Sequence, residues 1–175
     1  LDHPSLDFGT GPFSIDAWIR TNSTGTVAIV DKRELPSGSP LGYALNILSG
    51  KLNFQLGDGG TFVGNKLSDH PNINDGLWHH VAVTVSGRVA GGGNLYVDGV
   101  NVLNFSTALT AGGDVSNAAG LRIGQHQTFS SQNAFAGAID ELELFNRALS
   151  ETEVNSIWAA DSLGKCRCFA DGDIN

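Results

Sequence analysis

Asn94-Leu95-Tyr96-Val97-Asp98-Gly99-Val100-Asn101-Val102-Leu103 sets two short strand-like runs on either side of one Asp-Gly pair. Such a pair marks a type I′ turn, because both central residues need positive φ and the turn's twist matches that of paired strands. The segment reads as a tight antiparallel hairpin. The same grammar extends outward from it. Trp78 to Val85 alternates as a strand that enters from the turn Asp75-Gly76. Tyr43–Leu48 and Lys51–Leu56 meet across Ser49-Gly50, a second hairpin, which Asp58-Gly59-Gly60 ends. Near the start, Phe13, Ile15, Ala17 and Ile19 fall on one face of a strand, and Ser14, Asp16, Trp18 and Arg20 on the other. Thr26–Val30 is a further strand, read as running into a polar loop from Asp31 to Pro40. Leu121–Gly124 and Ala138–Phe145 supply the last strands.

After Phe145 the period changes. Ser150 followed by Glu153 is a capping box, and Val154, Ile157 and Trp158 follow at helical spacing, with Trp158 read as facing the core and Gly164 as the stop. The expected fold is all-β: an antiparallel two-sheet β-sandwich (jelly roll) with one short C-terminal helix. Residues 1–164 form the domain, and 165–175, where periodicity is lost, a tail or linker.

Composition agrees. Only 16% of the 175 residues are charged and 23 are glycine, as tight-turned sheets require. A net charge of −8 disfavours phosphate backbones, so nucleic acid is not an expected partner. No apolar run is long enough for a membrane-spanning helix. With no methionine and no leader pattern, the chain is expected to be a piece of a longer protein and to adjoin neighbouring domains. Cys166 and Cys168 are too close for an easy mutual disulfide, and there are no further cysteines for a four-thiolate zinc site. Asn22-Ser23-Thr24 and Asn104-Phe105-Ser106 are glycosylation sequons if the source modifies secreted proteins.

Several stretches occur together in one order: Asp75-Gly76-Leu77-Trp78-His79-His80-Val81-Ala82-Val83, Leu95-Tyr96-Val97-Asp98-Gly99, Leu121-Arg122-Ile123-Gly124, and Phe135-Ala136-Gly137-Ala138-Ile139-Asp140-Glu141-Leu142 leading through Asn146-Arg147-Ala148-Leu149-Ser150 to Glu153. This set resembles the laminin-G-like domains of the concanavalin-A-like lectin/glucanase superfold. The resemblance implies a two-sheet jelly roll used as an appended module of secreted or cell-surface proteins, often to bind glycans or matrix. It also implies a structural calcium bridging an aspartate of the last strand and the N-terminal segment. That makes Asp140, with Asp7 as second candidate, the residues to test. By alternation Asp140 shares the inward face with Leu142 and Leu144, and a buried carboxylate must be paired, hydrogen-bonded or metal-bound. Calcium and a purely hydrogen-bonded Asp140 both remain open readings.

Glu141 and Glu143 raise the question of a glycosidase. Laminarinase-type members of the superfold carry their acids in a Glu-x-Asp run that Asp140-Glu141-Leu142-Glu143 does not reproduce, and no acid and nucleophile can be assigned. His79 and His80 point to opposite faces of one strand and cannot easily share an ion. Trp18 and Trp78 are read as packing in or beside the sandwich. Strand-end residues Asp31, Arg33, Gln125 and His126 are the candidates for a ligand rim. The expectation is a non-catalytic binding module for a glycan or another extracellular surface ligand; a structural or protein-interaction domain is the alternative.

Overall fold

The computed structural model describes residues 2–35, 39–87, 92–105, 113–127 and 134–160, giving only the backbone for 62–65. The strands are β1 (Phe13–Thr21), β2 (Thr26–Glu34), β3 (Leu41–Leu48), β4 (Lys51–Asp58), β5 (Phe62–Leu67), β6 (Trp78–Val85), β7 (Gly93–Val97), β8 (Val100–Asn104), β9 (Arg122–Ile123) and β10 (Gly137–Phe145), and one helix follows, α1 (Glu151–Ala160). They form two five-stranded sheets, ordered β10-β1-β6-β7-β8 and β5-β4-β3-β2-β9, with neighbouring strands antiparallel.

Alternation puts Phe13, Ile15, Ala17 and Ile19 of β1 and Val81, Val83 and Val85 of β6 against Tyr43, Leu45 and Ile47 of β3 and Leu52, Phe54 and Leu56 of β4, all fully buried. Each such aliphatic or aromatic side chain contributes about 1.5–3 kcal/mol. Aromatic rings thread this core, with Phe13 stacked on Phe8 at 4.5 Å and Phe54 on Phe105 at 6.0 Å. Both hairpins have the expected turn. Ser49 (φ 51°) with Gly50 (φ 82°), and Asp98 (φ 50°) with Gly99 (φ 76°), take positive φ at both central positions.

Helix α1 covers part of the outer face of the first sheet, where its Val154, with Leu149 just before the helix, packs onto Ala82 and Tyr96. Its capping box forms: Glu153 N–H donates to Ser150 Oγ at 3.3 Å, and Ser150 N–H to Glu153 Oε2 at 2.8 Å. The helix closes at Ala160 in the described chain, so Gly164, the tail and both cysteines lie outside the described residues. None of the described helices is long and apolar enough to cross a membrane.

Four sequence expectations are corrected. β2 does not end at Val30 but continues through Asp31, Lys32, Arg33 and Glu34. β5 carries no clear alternation and was not expected. Trp158 does not face the core: it is 40% exposed and rests on the Gly99 turn, where an added Cβ would meet its ring at 2.8 Å. Asp140 is exposed rather than inward. Between Asp16 and Trp18 of β1 the partner strand advances from Glu143 to Asp140, one residue more, and Glu141 at φ 47° forms the bulge. The bulge breaks the period of two, so Leu142, Leu144 and Ile139 pack on the core while Asp140 turns outward beside Trp18.

Candidate functional site

A second bulge decides the site. In β2 the pairing with β3 slips between Ala28 and Val30, so Ile29 and Val30 both enter the core. Beyond it every side chain has exchanged faces. Asp31 and Arg33 therefore stand on the outer face of the second sheet, and Lys32 points inward.

Arg33 makes a bidentate pair with Asp31 two residues before it, Nε donating to Oδ1 at 2.8 Å and an Nη to Oδ2 at 2.6 Å. Its other guanidinium nitrogen donates to Gln55 Oε1 of β4. His126, just beyond β9, meets the guanidinium through Nε2 at 2.6 Å, so this ring nitrogen is the acceptor and the imidazole is neutral. Burial pushes His126 below the ordinary histidine value; Asp31 pulls the other way and Arg33 adds to the depression. Gln127 closes the cluster, its N–H donating to Asp31 Oδ2 at 3.1 Å and its side-chain amide to the carbonyls of Asp31 at 3.1 Å and Gly120 at 2.7 Å. Three of the four rim candidates are thus joined directly, and the fourth, Gln125, half-buried, precedes His126 in the same turn. Gln55 and Gln127 belong with them. Neither stands out in sequence, because an isolated glutamine on a strand or turn carries no spacing signal.

Chemically this is a rigid polar floor. Its one carboxylate is tied to the guanidinium and to the Gln127 N–H. Its rim of imidazole and amide groups suits hydroxyl-bearing ligands.

On the other face, Lys32 is completely buried, and its ammonium reaches Asp2 Oδ1 at 2.9 Å, Asp7 Oδ1 at 2.9 Å and the Asn117 carbonyl at 2.8 Å. Hydrogen bonding to Lys32 holds the Asp2 carboxyl below its usual range. Asp7 also accepts the Asn117 N–H at 3.3 Å. Asp140 lies opposite Trp18, five strand positions or about 16 Å along β1 from Phe13, and its Oδ1 accepts the Glu141 N–H at 2.8 Å. Asp7 and Asp140 thus belong to different surroundings and do not fit one calcium site. No group of three or more His, Cys, Asp or Glu suited to a metal occurs among the described residues.

The two histidines have separate carboxylate partners. His79 bridges two turns, Nδ1 to Asp98 at 2.8 Å and Nε2 to Asp75 at 3.2 Å, and the Asp98 hydrogen bond raises its pKa. His80 is buried, with Nε2 3.2 Å from Asp16 and Trp18 against its ring. Both sequon asparagines are exposed, Asn22 after β1 and Asn104 of β8, the latter donating to Asn94 Oδ1 at 2.8 Å.

Known proteins supply the relationship. The family model described as the concanavalin A-like lectin/glucanases superfamily, of laminin G type, matches residues 1–155. The rat protein "Sushi, von Willebrand factor type A, EGF and pentraxin domain-containing protein 1" is 32% identical over 131 residues, 69% of this chain and 4% of that protein, so the chain spans a small fraction of that relative's length. Among solved structures, the heptameric SAP-like pentraxin of Limulus polyphemus superposes with a TM-score of 0.68 at 21% identity, covering 89% of this chain and 73% of that one. The binding domain of Paraclostridial Mosquitocidal Protein 1 gives 0.68 at 16% identity, covering 90% and 39%. The chain belongs to the laminin-G-like family of the concanavalin A-like lectin/glucanase superfamily.

Proposed function

We propose that this domain is a non-catalytic recognition module of a secreted or cell-surface multidomain protein, and that it holds a glycan or similar hydroxyl-rich ligand on the outer face of its second sheet. The observation that carries this reading is the closed Asp31–Arg33–Gln55–His126 cluster, in which a buried, internally neutralised ion pair holds the half-buried Gln55 and His126 in place. Preorganisation spares the ordering entropy that binding otherwise meets. The family relationship and the multidomain rat relative support the setting outside the cell. Calcium has no part in this reading at Asp7 and Asp140, whose surroundings do not fit it.

Glycoside hydrolysis is disfavoured by Glu141 standing on the bulge, out of the regular alternation that would give it and Glu143 a common face. Calorimetry of the domain against a glycan panel tests the proposal. Binding that H126A weakens supports it; a panel without a single binder, or release of reducing ends, overturns it in favour of a spacer or an enzyme.

A further inference from the structure

The outer face of the other sheet carries chemistry that the Arg33–His126 cluster does not use. Beyond helix α1, strand register places Ala138, Arg20 and Trp78 in one row, and Asp140, Trp18 and His80 in the next. Trp78 is 39% exposed and the adjoining Leu77 is 63% exposed. The Arg20 guanidinium lies over the Trp78 ring at 5.2 Å. Among the described residues, Arg20 is the cationic side chain that makes no hydrogen bond or ion pair. That is unusual in a chain of net charge −8. Lys32, Arg33, Lys51, Arg122 and Arg147 all donate to protein oxygens.

A cleft of about 530 Å³ opens beside it, lined by Arg20, Thr21, Asn22, Ser23, Gly76 and Gly137. This lies within the range of small-molecule sites, about 300–1,000 Å³. The floor depends on two glycines from the segments that fixed the family: a Cβ on Gly76 would meet Asn22 Oδ1 at 2.7 Å, and one on Gly137 would strike the Arg20 carbonyl.

We propose that this cleft binds acidic saccharides, with Arg20 taking the anionic group and the partly exposed Trp78 ring beside the cleft packing on the apolar face of the sugar. The guanidinium presents its N–H donors in a planar fork, and a carboxylate or sulfate can accept two of them. Contact with the Trp78 ring also restrains the arginine, which reduces the entropy it loses on binding. The aromatic surface alone would accept neutral sugars. The unneutralised charge selects acidic ones. Asp140, diagonal to Arg20 across β1 and β10, is the nearby counter-charge and reduces that affinity. This site is separate from the His126 rim and does not rest on it.

The test is calorimetry and tryptophan fluorescence on the full chain with tetragalacturonate as the carboxylate probe, a heparin-derived tetrasaccharide as the sulfate probe, and cellotetraose as the neutral control. At least one acidic probe is expected to bind and change tryptophan emission, weakening as salt rises. The R20Q variant is expected to lose about tenfold in affinity, while R20K, which keeps the charge without the planar stack, falls between. D140N is expected to bind tighter at low salt. Unchanged melting temperature for R20Q separates lost recognition from lost fold. The proposal is overturned if neither acidic probe binds, if cellotetraose binds as well as both and is equally weakened by R20Q, or if acidic binding survives R20Q. Loss with H126A instead of R20Q would move the acidic ligand to the other sheet, refuting this inference while leaving the recognition function intact.

Discussion

Asp31, Lys32 and Arg33 occupy consecutive positions of β2 and point alternately to opposite faces, yet each finds its counter-charge. Read along the chain, a run of charges beside prolines looks like a loop, since isolated charges are rarely buried. What reverses that reading is tertiary: Arg33 pairs with Asp31 on one face, and Lys32 pairs with Asp2 and Asp7 on the other. A buried ammonium that loses one of its partners is costly even when Asp2 and the Asn117 carbonyl remain, so D7N is expected to lower unfolding free energy by about 1.5 kcal/mol, read from urea melts of the two proteins. A change under 0.5 kcal/mol would mean that Lys32 is solvated in the native state. Asp140 is exposed and serves the bulge, so any response of the melting temperature to added calcium is expected to be the same in D140N as in the parent. A calcium response abolished by D140N would restore it as a ligand.

The elements were mostly legible in the sequence. Alternation in β1, β3, β4 and β6, the Asp-Gly and Ser-Gly hairpins and the capping box before α1 follow from local spacing, and the structure has them where expected. What local spacing cannot show is a bulge. One extra residue at Ile29 and one at Glu141 exchange the faces of everything beyond them, which is why Asp140 was placed inward by parity while Arg33 could be named as a rim residue only by its position at a strand end. The helix start offers a local test. Replacing Ser150 with alanine removes the oxygen that accepts the Glu153 N–H and is expected to destabilise the domain by about 1 kcal/mol, while S150D is expected to keep most of the stability. Thermal melts that rank S150A equal to the parent would contradict the cap's role.

Across the whole molecule, two histidines titrate in opposite senses. His79 is raised by its Asp98 hydrogen bond, so its stabilising contribution is complete below the ordinary value of about 6.5 and is lost as pH climbs through its raised value. His126 is lowered by burial, so its contribution is complete above that ordinary value and is lost as pH falls towards the lowered one. Folding stability is therefore expected to peak near that ordinary value, declining below it through His126 and above it through His79. Proton-detected titration of the histidine rings should put His79 above and His126 below the ordinary value; the reverse order would refute the assigned partners. The shared core is far less forgiving. F54A removes a fully buried ring that touches Phe13 and Phe105 and is expected to cost about 3–5 kcal/mol, measurable as a lowered denaturant midpoint.

Whether the second sheet's outer face recognises ligands without transforming them is best judged by following the amide spectrum of the isotopically labelled domain while saccharides are added, with the sugar signals recorded in the same sample. Saturable shifts centred on Arg33, Gln55, His126 and Gln127, with every saccharide intact after prolonged incubation, are the predicted result. Newly formed reducing ends, or a spectrum there that no saccharide perturbs, would contradict it.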